Sequence, residues 1–186
     1  MIKSNTYIKA EDLFEWNISL KLGLTTSTQK KGELFLEEGQ RCDYFYYILK
    51  GFVRLYYLDI EGNEVTHWFS AEDSMVTSPF SFFKKEKNIL YFQALEDTEL
   101  LLITNEQLDK IMSQSKSTQK AYRHLLAEFA MVLSRRVMSI HTETAEDRYL
   151  KLMKEYPLIF QKAKLSHIAS FLGVTPQSLS RIRKNI

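Results

Sequence analysis

Apolar and polar positions change their period twice along this chain. Residues 8–22 (IKAEDLFEWNISLKL) set Ile8, Leu13, Phe14, Ile18 and Leu22 at mixed helical spacings, which predicts a short amphipathic helix. From Lys30 the apolar residues fall in runs of four to eight, rich in aromatic and branched types and punctuated by Gly32, Gly39, Gly51 and Gly62. Such runs predict short strands joined by tight turns. Gly62-Asn63, between LYYLDI and VTHWF, reads as a hairpin turn because both residue types tolerate positive φ. The stretch ILYFQALEDTELLLI (89–103) adds two strands around Glu96-Asp97, so seven or eight closely spaced strands predict a small β-barrel or jelly roll.

Past Ile103 the strand pattern stops. Thr104, with Gln107 three residues on, forms a helix-start signature ahead of LDKIM. From Ser117 to Ile140 the stripe Tyr122, Leu126, Phe129, Leu133, Val137, Ile140 keeps to three- and four-residue steps and predicts one long helix. A rod of that length exceeds what covering a small β domain requires, so the stripe is also read as a dimer-forming face. Thr144, with Asp147 three residues later, caps a further helix that must stop before Pro157.

The last segment, LSHIASFLGVTPQSLSRIR (165–183), carries the spacing of a helix-turn-helix. Ile168, Ala169 and Leu172 make the buried face of a first helix, and Ala169 is small where a second helix must cross closely. Gly173 can take the left-handed conformation that ends the first helix, and Val174 fills the corner. Thr175 supplies an N-cap and Pro176 the first helical position of the second helix. Leu179 and Ile182 then point inward, leaving Gln177, Ser178, Arg181 and Lys184 on the outer side. That side has the chemistry of a base-reading face: Arg donates twice to guanine, Gln pairs with adenine, and Ser or Thr serves base or phosphate. Lys164, Ser166, Arg183 and Lys184 are the candidate phosphate contacts.

Charge sharpens this division. The formal net charge of +2 conceals a strong asymmetry. Residues 1–115 hold 12 basic and 18 acidic side chains, net −6; residues 116–144 hold 5 and 2, net +3; residues 145–186 hold 8 and 3, net +5. An acidic body with a basic tail suits a nucleic-acid binder that carries a separate sensing or scaffolding part.

From Lys30 onward the sequence resembles the Crp/Fnr superfamily of bacterial transcription regulators. The likeness is carried by KKGELFLEEGQ, YFYYILKGFVRLYY, GNEV and ALEDTELLLI, and by the order roll, long helix, helix-turn-helix. The resemblance implies an α+β protein with a cyclic-nucleotide-binding-like double-stranded β-helix or jelly roll over residues 1–115. A linking dimerisation helix over 116–143 and a helix-turn-helix DNA-binding domain over 144–186 would follow. It implies a homodimer whose long helices pack together through Tyr122, Leu126, Phe129, Leu133, Val137 and Ile140. By the same likeness Gln177, Ser178 and Arg181 fall on base-reading positions, with Ser166 and Thr175 near phosphate. The partners would be a palindromic site in double-stranded DNA, a second copy of the chain, RNA polymerase and a small-molecule effector of unknown chemistry.

The sequence departs from the family's cyclic-nucleotide members in the cassette that holds the cyclic phosphate. Val76-Thr77 stand near the place of a Gly-Glu pair, and Asn88-Ile89-Leu90 near the place of an Arg. Without those groups, binding of a cyclic nucleotide in the usual mode is not expected, and no cofactor is identified. No wing is expected beyond the recognition helix.

Other chemistries find little support. A single Cys excludes a disulfide scaffold and any four-thiolate metal site within the chain, and Cys42 reads as a small core residue. His67 is the only His in the roll segment, too few for a cupin-type metal enzyme, and no phosphate-cradling Gly-rich loop occurs. Met75, Phe80, Phe82 and Phe83 read as core packing. With no long apolar run or signal-type N-terminus, the expectation is a soluble cytoplasmic protein that is not an enzyme and does not enter membranes. The alternative is a ligand-binding sensor whose C-terminal unit contacts protein rather than DNA.

Overall fold

Two four-stranded antiparallel sheets make the N-terminal roll in the computed structural model, which describes residues 23–114 and 116–186. The helix expected over residues 8–22 lies outside them. The strands are β1 (Thr25–Gln29), β2 (Leu34–Leu36), β3 (Tyr44–Lys50), β4 (Phe52–Leu58), β5 (Glu64–Ala71), β6 (Met75–Val76), β7 (Tyr91–Ala94) and β8 (Thr98–Thr104), with a short helix α1 (Pro79–Lys84) between β6 and β7. One sheet runs β1-β8-β3-β6 and the other β2-β7-β4-β5. Strand β1, TTSTQ, carries no apolar residue and gave no strand signal. It forms because it lies at a sheet edge and pairs along its whole length with β8, from Thr25 opposite Leu102 to Gln29 opposite Thr98.

Turn chemistry sets the registers. Gly51 joins β3 to β4 at φ +116°, and a Cβ there would meet the Thr98 backbone at 2.8 Å, so only glycine fits. The β4–β5 turn departs from the expected Gly-Asn pair. Of those two residues only Gly62 takes positive φ, while the Asp59 carboxylate accepts the backbone N–H of both Glu61 and Asn63 at 2.9 Å. The turn is thus a side-chain-stapled loop.

The roll has an apolar core. Leu36, Cys42, Tyr46, Ile48, Val53, Leu55, Trp68, Val76, Leu90, Phe92 and Leu100 form one buried cluster. Its aromatic rings meet edge to face, as for Phe35 and Tyr46 at 5.2 Å and Phe35 and Phe92 at 5.6 Å.

Two helices follow: α2 (Asn105–Gln114) and α3 (Lys116–Thr142). The start of α2 is the expected reciprocal cap, with Gln107 N–H donating to the Thr104 hydroxyl at 3.2 Å and Thr104 N–H to the Gln107 side chain at 2.9 Å. Helix α3 spans 27 residues, about 40 Å at 1.5 Å per residue. Its apolar stripe is shared between neighbours. Phe129, Val132 and Leu133 close the roll cluster, with the Phe129 ring 5.5 Å from Trp68, while Tyr122 and Leu125 pack on a third cluster that includes α2.

The C-terminal unit comprises α4 (Ala145–Glu155), α5 (Pro157–Lys162), α6 (Leu165–Leu172) and α7 (Pro176–Asn185). Thr144 and Asp147 form the capping box that starts α4, which ends before Pro157. These helices share one core, Tyr149, Leu152, Ile159, Ile168, Ala169, Leu172 and Leu179, and that core continues into the roll through Phe52, Phe69, Ala71 and Leu95.

Candidate nucleic-acid interface

The turn between α6 and α7 is built from backbone requirements legible in its residues. Gly173 stands at φ +71°, Val174 N–H donates to Ala169 O at 3.0 Å, and Gly173 N–H donates to Ser170 O at 3.2 Å. This doubly bonded left-handed ending reverses the chain within two residues. Thr175 then caps α7 by accepting Ser178 N–H at 3.1 Å, with Pro176 at the first helical position. Leu179 is fully buried and Ile182 packs beside it, which fixes how α7 is rotated.

That rotation leaves Gln177, Arg181, Arg183 and Lys184 exposed on α7. Ser178 is half-buried, and its hydroxyl accepts from Thr175 at 3.0 Å. Lys164, Ser166 and Thr175 are exposed around the start of α6 and the turn. Helix α7 carries no acidic side chain in its first turn, and Arg183 and Lys184 lie in its last. The outer surface of the unit therefore offers guanidinium, ammonium and amide donors with no carboxylate on α7 to oppose them.

The residues expected at a dimer interface divide into two groups. Phe129 and Leu133 are half-buried against the roll and Tyr122 against the α2 cluster, whereas Leu126, Val137 and Ile140 are exposed, as are Met131 and Met138. At 100° per residue, Leu126, Val137 and Ile140 lie within about 60° of one another on α3. They form a solvent-facing apolar strip beside the flank that seals the roll.

The cassette around α1 has other commitments. Asn88 is buried, donates its amide to Glu37 O at 2.9 Å and to Leu90 O, and accepts Leu90 N–H at 3.0 Å. Thr77 donates to Tyr44 O at 3.0 Å, and Ser81 accepts Cys42 N–H at 2.9 Å. Lys84 sits over the Phe80 ring at 5.4 Å and Lys85 over the Phe82 ring at 5.8 Å. Of the aromatics read as core, Phe82 is fully buried, but Phe80 and Phe83 face solvent because α1 is a single amphipathic turn on the roll rim. Polar groups here tie the backbone together, and the residues present do not fit a cyclic phosphate.

Sequence reading missed the seam between the C-terminal unit and the roll. Ser170 of α6 accepts Thr66 N–H at 3.1 Å and donates to the Thr66 hydroxyl at 2.9 Å. Thr66 also accepts from Arg54 Nε at 2.9 Å, and Arg54 Nη1 pairs with Glu64 at 2.6 Å. Arg136 of α3 donates to His67 O and, at 3.3 Å, to Phe171 O, with its guanidinium 4.2 Å above the Phe171 ring. Lys162 pairs with Glu96 of the β7–β8 turn. The hints in the sequence were Arg54 within the otherwise apolar and aromatic β4 and Thr66 and Ser70 in β5, which an isolated sheet would turn to water. No group of three or more His, Cys, Asp or Glu side chains able to hold a metal occurs among the described residues, and none of their helices is long and apolar enough to cross a membrane.

A filled β-roll joined by a long helix to a docked helix-turn-helix unit defines a class of two-part proteins. Comparison with known proteins shows what this arrangement is similar to. Residues 28–115 match the model of the cyclic nucleotide-binding domain family, and the described residues share their fold with solved structures that include a Crp/Fnr-family regulator. A mutant of CooA from Carboxydothermus hydrogenoformans is similar with a TM-score of 0.75 at 16% identity, covering 98% of this chain and 84% of that one. The c-di-GMP responsive global regulator CLP of Xanthomonas campestris gives 0.72 at 15% identity, over 92% and 91%. A Crp/Fnr-family regulator from Eubacterium rectale gives 0.70 at 21% identity, over 98% and 87%. No curated protein matches the sequence.

Proposed function

We propose that this chain is a homodimeric, sequence-specific DNA-binding transcription regulator of Crp/Fnr type. The observation that carries the reading is the outer face of α7. A helix started by Thr175 and Pro176 and anchored by Leu179 leaves Gln177 and Arg181 open to solvent one turn apart, flanked by Arg183 and Lys184. A face of this kind fits a major groove, with Gln177, Ser178 and Arg181 toward base edges and Lys164, Ser166, Thr175, Arg183 and Lys184 toward phosphates. A second copy would cover Leu126, Val137 and Ile140 with its own α3, extending the packing that Phe129 and Leu133 make on the roll. Residues 1–115, 116–143 and 144–186 then act as sensor or scaffold, dimerising linker and reader. The structural relatives are transcription regulators, which favours a binding role in the cytoplasm, with RNA polymerase downstream, over catalysis.

Selection of the purified protein on random double-stranded DNA at two salt concentrations tests this reading. A palindromic motif with half-sites about 34 Å apart is expected, with affinity falling steeply as salt rises because phosphate neutralisation releases counterions. No enrichment and a flat salt response would instead identify a unit that contacts protein. Replacing Val137 and Ile140 together by Glu should yield monomers with half-site binding only, read by light scattering.

A further inference from the structure

The seam between the roll and α6 contains two buried polar atoms with no hydrogen-bond partner among the described residues, Arg54 Nη2 and His167 Nδ1. They come from opposite sides of the seam. Arg54 is 1% exposed and His167 is 8% exposed, and the Arg54 charge acts on the His167 ring. Arg54 has its charge answered by Glu64 and its planar group stacked 4.3 Å from the Tyr56 ring, which leaves one nitrogen over. His167 has no carboxylate hydrogen-bonded to it. A neutral imidazole tolerates this place, since one ring nitrogen can remain a bare acceptor. An imidazolium would need a partner for a second N–H and would sit against a cation.

We propose that the α6–β5 seam is an acid-releasable latch that holds the helix-turn-helix unit against the roll, with His167 as its proton-sensing group. The polar half of the latch is the Ser170–Thr66 pair, and the apolar half is Phe171 against Phe69, whose ring centroids are 5.3 Å apart. The charged groups around His167 are Arg54 from β4, Glu64 from β5 and Lys164 at the start of α6; only Glu64 favours the imidazolium. Further along, α3 contributes Arg136, and α4 contributes Arg148, which bonds Leu172 O at 3.0 Å. Helices α5 and α7 turn apolar Ile159 and Leu179 to the same core.

The direction of the response follows from linkage. Burial first, and Arg54 second, push the His167 pKa down to about 4 from an ordinary 6.5. The docked state binds fewer protons than the released one, so docking is at full strength above pH 6.5 and weakens as pH falls toward 4. Between pH 7 and pH 5 the docking equilibrium should drop by about 20-fold. His67 is also acid-sensitive, its pKa lowered by burial and then by Arg136, which bonds its carbonyl, so the His167 variant is needed to separate the two. The regulatory meaning of the latch rests on the DNA-reading role of α7, because release would free the reading helix from the position the roll imposes.

Amide hydrogen exchange at Thr66, whose N–H is held by Ser170, reads the latch without DNA in the full-length protein. Protection corrected for intrinsic rate should fall about 20-fold from pH 7 to pH 5, and by less than about twofold in His167→Gln. Equal losses in both proteins, or no loss in the wild type, would overturn the proposal. Should His167→Gln fail to dock, an NMR titration of His167 in the wild type decides: an apparent pKa well below 6.5 supports the latch, and an ordinary value overturns it. Failure of DNA selection would leave these readouts intact, so the two hypotheses fall separately.

Discussion

The interior of the roll and the outer face of α7 are opposite kinds of surface. Inside the roll, aromatic rings interlock and nearby polar atoms such as those of Asn88, Thr77 and Ser81 are engaged by backbone groups, so little chemistry is left for a ligand. On α7, guanidinium and amide groups extend into solvent. The contrast is between polar groups consumed by folding around the roll and polar groups left open to solvent on α7. Recognition requires donors that folding has not used, and this chain keeps them at its basic end.

The largest effect should come from the roll. Phe92→Ala removes a fully buried ring that touches Phe35 and Tyr46 and should cost about 3–5 kcal/mol in urea unfolding. A loss well below that would mean the roll collapses around the gap, and the contrast with α7 would weaken. Next comes Arg181→Ala, which should cost about 1–3 kcal/mol at one base pair per half-site and relax preference there, measured by titrating variants of the selected operator. An unchanged preference would remove Arg181 from the reading face. Thr175→Ala is the smallest, about 1 kcal/mol of local stability, read as faster exchange at the Ser178 amide; no change would show that Pro176 alone starts α7.

Much of the reading unit was legible because its signals are local. Gly173, Thr175 and Pro176 act on their own backbone, and the steps between Ile168, Ala169, Leu172 and Leu179 follow from helical geometry whatever surrounds them. The caps at Thr104 and Thr144 are legible for the same reason. Strand β1 was illegible because its pairing with β8 is a long-range event and its residues carry no apolar alternation. The α3 stripe was seen as one face, yet its two flanks have different neighbours. A periodic pattern records that a side is apolar and not which partner covers it.

The sequence by itself determined the order of roll, rod and reading unit, the turn that sets α7 against α6, and the charge asymmetry that separates body from tail. Each depends on residues close in the chain or on composition, where backbone preference and net charge need no knowledge of the fold. Only the tertiary structure decided that β5 docks on α6 and that His167 and Arg54 share a buried seam. Those residues lie more than a hundred positions apart, and the burial that removes water from them exists only once the two halves have packed together.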